Sequence, residues 1–217
     1  MIDFTVIAEN AGLFVRGTLY TLLVASSTIA LSVMLAAPLA VLRESPLSWL
    51  RSLVGTYSWI ARSTPALTVL FITYYGLPVV GIYLEPVPSA IIGLTLVSTG
   101  YNLEIIRAGL LAIPRGQYDA ARSLGLPPWL MYRKVVFPQA MRIAVPALFS
   151  NMTLMIKGSA LASLVAVSEL TGEAMGLISL TYKSIPILIT VAAIYLVLNT
   201  LMTLAQGFFE RRMSLSH

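Results

Sequence analysis

Between Arg16 and Arg43 the chain runs for 26 residues, Gly17 to Leu42, without a charged side chain. A helix over that run is about 39 Å long, more than the roughly 30 Å of a bilayer's hydrocarbon layer. Four further runs behave alike: Ser63–Leu84, Pro86–Leu103 (somewhat short), Ile143–Ser168, broken only by Lys157, and Ser184–Phe209. Only 11% of the residues are charged, against about 25% in soluble domains. These runs predict an all-α fold, a polytopic membrane bundle of five transmembrane helices forming a single domain over 1–217.

Several chemistries are excluded early. There is no cysteine, so no disulfide, thiolate metal site or thiol nucleophile. One histidine, His217, stands at the last position, which leaves no histidine-based catalytic or metal site, and no cofactor is indicated. The net charge of +5 reads as loop arginines and lysines, with no nucleic-acid partner implied. The first fifteen residues carry Asp3 and Glu9 and no basic stretch. A cleaved leader is therefore not expected, and the first run should stay as a span.

Five spans put the termini on opposite faces. The 43–62 and 104–142 loops and the C-terminal tail hold ten Arg and Lys residues; the N-terminus, the 77–88 turn and the 169–183 loop hold two, Arg16 and Lys183. Arg62 and Lys157, at or inside spans, are not counted. The positive-inside rule places the first group in the cytoplasm and the N-terminus outside. Leu47, Leu50, Leu53, Val54, Tyr57 and Ile60 recur at helical spacing, predicting a short helix along the inner interface with Trp49 and Trp59 at headgroup depth. Ser63 or Thr64 is suited to cap a following helix, with Pro65 in its first turn. Gly76-Leu77-Pro78 is expected to kink or end the second span.

The polar insert Glu104 to Pro138 is the one long interruption. Within it Tyr118–Leu124 is alanine-rich and helix-forming, Asp119 stands near its start, Gly125 follows its end, and Pro127-Pro128 stops continuation. Such a helix cannot bury a core of its own. It is either a docking element for another protein or a solvated loop helix.

The spacing bears on that choice. Asp119-Ala120-Ala121, three residues, Gly125, nine residues, then Val135-Val136-Phe137-Pro138 resembles the EAA motif of ABC-importer permeases, with Asp for Glu and Phe for Leu. Glu104-Ile-Ile-Arg107, Ile113-Pro-Arg-Gly-Gln117, Arg62-Ser-Thr-Pro65, Gly76-Leu-Pro78 and Glu169-Leu-Thr171 are similar to the polar-amino-acid branch of that family. The resemblance covers nearly the whole chain. It implies a coupling loop over about 108–138 whose short helix fits a groove on a separate ABC ATPase subunit, with Asp119, Ala120, Ala121, Arg122 and Gly125 as the coupling residues. It further implies a second permease subunit, the same chain or a paralogue, and a soluble solute-binding protein. The location it implies is the bacterial plasma (inner) membrane, with membrane lipid around the spans.

Arg62, Thr64, Asn102, Asn151 and Lys157 are the polar groups placed to line a substrate path. A structural reading stands beside each. Arg62 is equally a headgroup anchor, and Asn151, with Thr153 and Asn199, equally an interhelical hydrogen-bonding group. Lys157, costing about 2.5–3.5 kcal/mol within a span, lines the path, reaches the outer interface, or pairs with Glu169 or Glu173. Glu104 and Arg107 form an i, i+3 pair. The Glu169–Glu173 segment either meets a receptor or is simply solvated.

The sequence contains no Gly-x-x-x-x-Gly-Lys-Ser/Thr loop, so ATP hydrolysis would fall to a partner and the chain itself is not an enzyme. The expectation is the transmembrane subunit of an ATP-driven importer for polar amino acids or amino-acid-like solutes. An ion-driven secondary transporter would instead show inverted repeats and acids deep in the spans, and a non-transporting scaffold would leave Lys157 without a role.

Overall fold

The computed structural model describes residues 4–214; Asp3 and His217 lie outside them. In chain order it forms α1 (Thr5–Glu9), α2 (Ala11–Arg43), α3 (Ser48–Ser63), α4 (Ala66–Phe71), α5 (Pro86–Leu111), α6 (Arg115–Ser123), α7 (Pro128–Met131), α8 (Phe137–Gly158), α9 (Leu170–Thr181) and α10 (Ser184–Ser214). No strand occurs among the described residues. The all-α expectation holds.

Four helical stretches are long and apolar enough to cross a membrane: Ala11–Arg43, Pro86–Leu111, Pro128–Val165 and Ser184–Arg212. The expected second span, Ser63–Leu84, is not among them: its helix, Ala66–Val80, counts as a fifth only if taken together with Ser48–Ser63, which it meets at a 103° bend. Pro65 enforces the break, since it removes an N–H and pushes Thr64 out of helical geometry, to ψ 132°. Neither Ser63 nor Thr64 caps α4, contrary to expectation. Thr64 Oγ1 bonds back to the Ile60 carbonyl at 2.8 Å, closing α3 instead. Beyond α4 the helix widens over Ile72–Gly76, tightens over Leu77–Val80 and stops at Gly81, whose φ of +83° only glycine adopts easily. The Gly76-Leu77-Pro78 turn thus ends the span as expected.

The third and fourth spans reach further toward the insert than their charge-free runs. The helix of α5 carries on through Glu104 and Arg107 to Leu111, because both charges are neutralised in place. Arg107 bonds Glu44 at 2.6 Å and Glu104 at 3.3 Å, and Ser58 donates to Glu104 at 2.7 Å. The fourth span starts at Pro128 and carries the end of the motif, Val135–Pro138, in its first turns.

Small residues explain the packing. In α2, Gly17, Thr21, Ala25, Thr28, Ser32, Ala36 and Ala40 are buried at intervals of three to four residues, mostly four. Such a seam lets helices approach closely in lipid, where apolar burial between helices is not itself a driving force. Helix α5 is the centre, packed by α2, α3, α4 and α8. A Cβ on Gly93, Gly100 or Gly109 would lie 2.5–2.8 Å from Thr73, Ala61 or Ala140 respectively. One apolar core joins α2, α5 and α8 to α6 through Ala36, Leu103, Ile106, Ala121, Val136 and Ala140; a second ties α2, α4 and α5 to Ser159–Val165; a third holds α9 between α2 and α10.

Candidate functional site

The polar insert folds around α6. That helix runs Arg115–Ser123, starting and ending earlier than the Tyr118–Leu124 reading. Asp119 therefore lies in its middle and not in its first turn, and the dipole argument for Asp119 does not apply. The end is as the sequence indicates. Gly125 sits at φ +69°, its N–H bonds the Arg122 carbonyl at 2.9 Å, and Leu126 N–H bonds the Ala121 carbonyl at 3.1 Å. This is a Schellman close, which requires a left-handed residue after the cap.

Two contacts hold α6 to the bundle. Ala121, 3% exposed, packs into the core beside Ile113 and Met131. Tyr118 donates to the Leu110 carbonyl at 3.2 Å, at the end of α5, and sets its ring edge-on to Tyr132 with centroids 6.3 Å apart. Burial pushes the Tyr118 phenol above its ordinary pKa, with Tyr132 and Glu44 adding to the shift. The opposite face is open: Asp119, Ala120 and Arg122 are exposed, and the 3.7 Å Asp119–Arg122 pair has both side chains 70% exposed. Such a pair contributes little to stability, so both charges are available to another molecule. The face borders a cleft of about 630 Å³ lined by Glu44, Leu110, Arg115, Asp119 and Arg122 among others. Of the two alanines, Ala120 faces outward and Ala121 serves the chain's own packing. Sequence reasoning missed Leu124, 79% exposed, and Trp129, 62% exposed, which add an apolar element to this surface. The signal for both was a large apolar residue beside a helix stop in a polar segment.

The path candidates separate into two groups. Asn102 and Asn151, 1% and 6% exposed, bond each other at 2.8 Å; Asn102 also donates to Ser32 and both reach Ser98. They clamp α2, α5 and α8 together. Arg62 is exposed at the end of α3 and its side chain bonds Ser58 at 3.3 Å; with Tyr101 and Glu104 it lines a cleft of about 420 Å³. Thr64 is half-buried beside it. Lys157 is exposed in the last turn of α8 and pairs with neither Glu169 nor Glu173. Those two acids are taken by other groups, so the ion-pair reading of Lys157 fails.

Both acids are also withdrawn from solvent. Glu173 pairs with Arg16 at 2.5 Å. Glu169, 0% exposed, accepts from Gly172 N at 2.8 Å, Tyr195 OH at 2.9 Å and Thr21 Oγ1 at 3.2 Å, capping α9 and joining it to α2 and α10. Gly17 permits this contact, since its Cβ would lie 2.8 Å from Leu170 Cα. Neither the solvated nor the receptor-facing reading of this segment fits Glu169. Burial raises the Glu169 carboxyl above the ordinary carboxylate range, outweighing the hydrogen bonds from the Thr171 and Gly172 backbone, Tyr195 and Thr21. The folded chain therefore holds this proton more tightly than the unfolded chain. The associated stability is present below the unfolded carboxyl pKa and lost as pH rises through the folded value. We expect the melting temperature in neutral detergent to fall across that interval, and Glu169→Gln to flatten the fall; an unchanged slope in the variant would refute the assignment.

Among the described residues, no group of three or more His, Cys, Asp or Glu is arranged to hold a metal.

The family described as binding-protein-dependent transport system inner membrane component matches residues 28–215. The nopaline transport system permease protein NocM of Agrobacterium fabrum is 35% identical over 225 residues, covering 97% of this chain and 93% of its own. The L-cystine transport system permease protein TcyB of Bacillus subtilis is 33% identical over 198 residues, covering 91% and 85%. A chain from the crystal structure of an amino acid ABC transporter with histidines superposes with a TM-score of 0.89 at 32% identity, over 98% of this chain and 99% of that one. The inward-facing MetNI methionine ABC transporter shares the fold, with a TM-score of 0.80 at 23% identity over 94% and 97%.

Proposed function

This chain belongs to the family of binding-protein-dependent transport system inner membrane components, and from that premise we propose that it forms one half of an ATP-driven importer's solute path. The observation that carries the mechanism is α6. It is tethered to α5 by Tyr118 and packed against the Pro128–Val136 start of the fourth span by Tyr118 and Ala121, while Asp119, Ala120, Arg122 and Leu124 stand open. A motor protein gripping the open face would move the spans through the tethers. Asp119 and Arg122 supply charged contacts at the rim, Ala120 gives close approach, and Gly125 sets the angle at which the loop over about 108–138 leaves the helix. ABC ATPase subunits are the partners this surface suits, with hydrolysis on their side.

Five spans in one domain do not enclose a path, so a second permease subunit, identical or paralogous, completes it. The orientation follows the charge count: N-terminus outside, α6 and the C-terminal end in the cytoplasm of a bacterial plasma membrane. A soluble solute-binding protein delivers the solute from outside. Arg62, Thr64 and Lys157 face away from the protomer's core and are the groups positioned to meet solute or the second subunit. Asn102 and Asn151 keep the path's walls in register. The solute class is polar amino acids or amino-acid-like compounds, as the names of NocM and TcyB suggest. A cationic solute is disfavoured by uncompensated Lys157.

Reconstitution tests this reading. With a cognate ATPase and receptor, uptake into liposomes is expected to require ATP and to be insensitive to proton or sodium gradients. Gradient-driven uptake without ATPase would replace the proposal with secondary transport. Screening polar amino acids and opines against the soluble receptor would identify the solute.

A further inference from the structure

At the C-terminal end of α2, Arg43 turns back across α3. Its guanidinium lies against the backbone of Gly55, where a Cβ would sit 2.8 Å from Cζ and 2.9 Å from Nη2. Nη1 donates to the Arg51 carbonyl at 3.2 Å, and Nε is enclosed with no partner. One helical face of α3 continues from this point: Ser48, Arg51 and Ser52, Gly55, then Trp59, at intervals of three to four residues. Together they line a cleft of about 450 Å³ that contains two arginines, three hydroxyls counting Thr56, and no acid. Neither arginine has a carboxylate partner among the described residues. The adjacent Glu44 is held by Arg107 and lines the cleft beside α6 instead.

Two adjacent cations without an anion are costly unless water or a bound anion compensates them. The surroundings here are not those of an aqueous loop. The neighbouring face of α3 exposes Trp49 at 64%, Leu53 at 61% and Ile60 at 50%, and Trp59 at the cleft's end is 64% exposed. Apolar chains and indole rings beside a basic, hydroxyl-lined notch are the pattern of a helix lying at the boundary of lipid tails and headgroups. Arginine forks bind phosphate oxygens in paired hydrogen bonds, and basic clusters on the cytoplasmic side recruit anionic lipids.

We infer that the Arg43–Arg51 cleft is a binding site for the phosphate of an anionic phospholipid. Arg51 and the exposed part of the Arg43 fork take the phosphate oxygens. Ser48, Ser52 and Thr56 donate to remaining oxygens or to a glycerol headgroup, and Trp59 packs along the upper acyl chain. Gly55 is required because any side chain there displaces the Arg43 guanidinium. The site joins α2 to α3 and so braces α3 ahead of its bend into α4. Assigning it to the inner leaflet rests on the orientation proposed above; the binding itself does not.

The experiment uses the purified full chain in neutral detergent, titrated with phosphatidylglycerol, phosphatidylcholine or inorganic phosphate. It is read by native mass spectrometry and by quenching of tryptophan with brominated phosphatidylglycerol. One phosphatidylglycerol should bind per chain in preference to phosphatidylcholine. At about a factor of five per arginine, Arg43→Gln with Arg51→Gln should weaken it about 25-fold, while Arg133→Gln, outside the cleft, should not. Arg51→Gln alone, whose guanidinium makes no bond among the described residues, covers the case in which loss of Arg43 impairs folding; it should weaken binding about fivefold. Equal binding of both lipids, or undiminished binding by Arg51→Gln and the double variant, would overturn the inference. Displacement of the lipid by inorganic phosphate at equal concentration would reassign the cleft to a free anion. Intact lipid binding with loss of a co-purifying ATPase would reassign it to the motor.

Discussion

Gly125→Asp is expected to abolish receptor-stimulated ATP turnover and uptake while leaving the chain inserted in the membrane at normal levels. The position is special for its backbone and not for its packing. Its φ is +69°, yet a Cβ built there meets nothing within 4 Å. An ordinary side chain pays about 1–2 kcal/mol for the left-handed conformation, whereas asparagine and aspartate visit it more readily. Gly125→Asn should therefore keep the Schellman close and most of the transport. Aspartate keeps the same geometry but places a negative charge at the C-terminal end of α6, an unfavourable helix-dipole position worth about 0.3–1 kcal/mol. It also introduces a carboxylate beside exposed Leu124 on the surface proposed to enter the ATPase. The two variants thus separate turn geometry from surface charge. At least a tenfold loss for Asp with a small loss for Asn is the expected result, measured as ATP-dependent uptake and as recovery of ATPase on the tagged permease. Wild-type uptake by Gly125→Asp would count directly against α6 as the docking element.

The elements legible in the sequence were those fixed by local chemistry. Long charge-free runs located four of the spans, since a continuous apolar helix satisfies its own backbone, whereas the Ser63–Leu84 run does not form a spanning helix by itself. Gly125 followed by Leu126-Pro127-Pro128 located the end of α6, because a left-handed cap and two prolines act on their own neighbours. What was not legible depended on partners far along the chain. The end of α5 lies at Leu111 and not Leu103 because Glu44, 63 residues before Arg107, neutralises it. In sequence Glu169 is a loop acid, solvated or receptor-facing; only the fold brings Thr21 and Tyr195 around it. Asn102 and Asn151 are each a lone amide in sequence, and their pairing appears only when α5 and α8 run antiparallel. Ala120 and Ala121, adjacent and identical, divide between solvent and core once the start of α6 is set at Arg115.

That antiparallel seam makes Gly109 the position where the smallest addition should do most damage. A Cβ there would stand 2.5 Å from the Ala140 carbonyl oxygen and 3.3 Å from Ala144 Cβ. The oxygen belongs to the body of α8 and cannot rotate aside as a side chain would, so the two helices must separate. A gap of roughly 0.5–1 Å forfeits a quarter to a half of the dispersion attraction along the contact. Two turns away along α5 and about three along α8 lies the 2.8 Å bond between Asn151 and Asn102, which the same displacement strains; interhelical hydrogen bonds in membranes contribute about 0.6 kcal/mol on average and up to about 1.7. With an overpacking cost of about 1–3 kcal/mol, Gly109→Ala should destabilise the chain by about 2–4 kcal/mol. The same substitution at Gly176, helical and open with nothing within 4 Å, should be neutral or stabilising by up to about 1 kcal/mol, since alanine is the better helix former. Thermal unfolding of the two variants in one detergent provides the comparison. The expected outcome is opposite signs for one chemical change, and a Gly109→Ala protein as stable as wild type would mean that α5 and α8 do not meet at this contact.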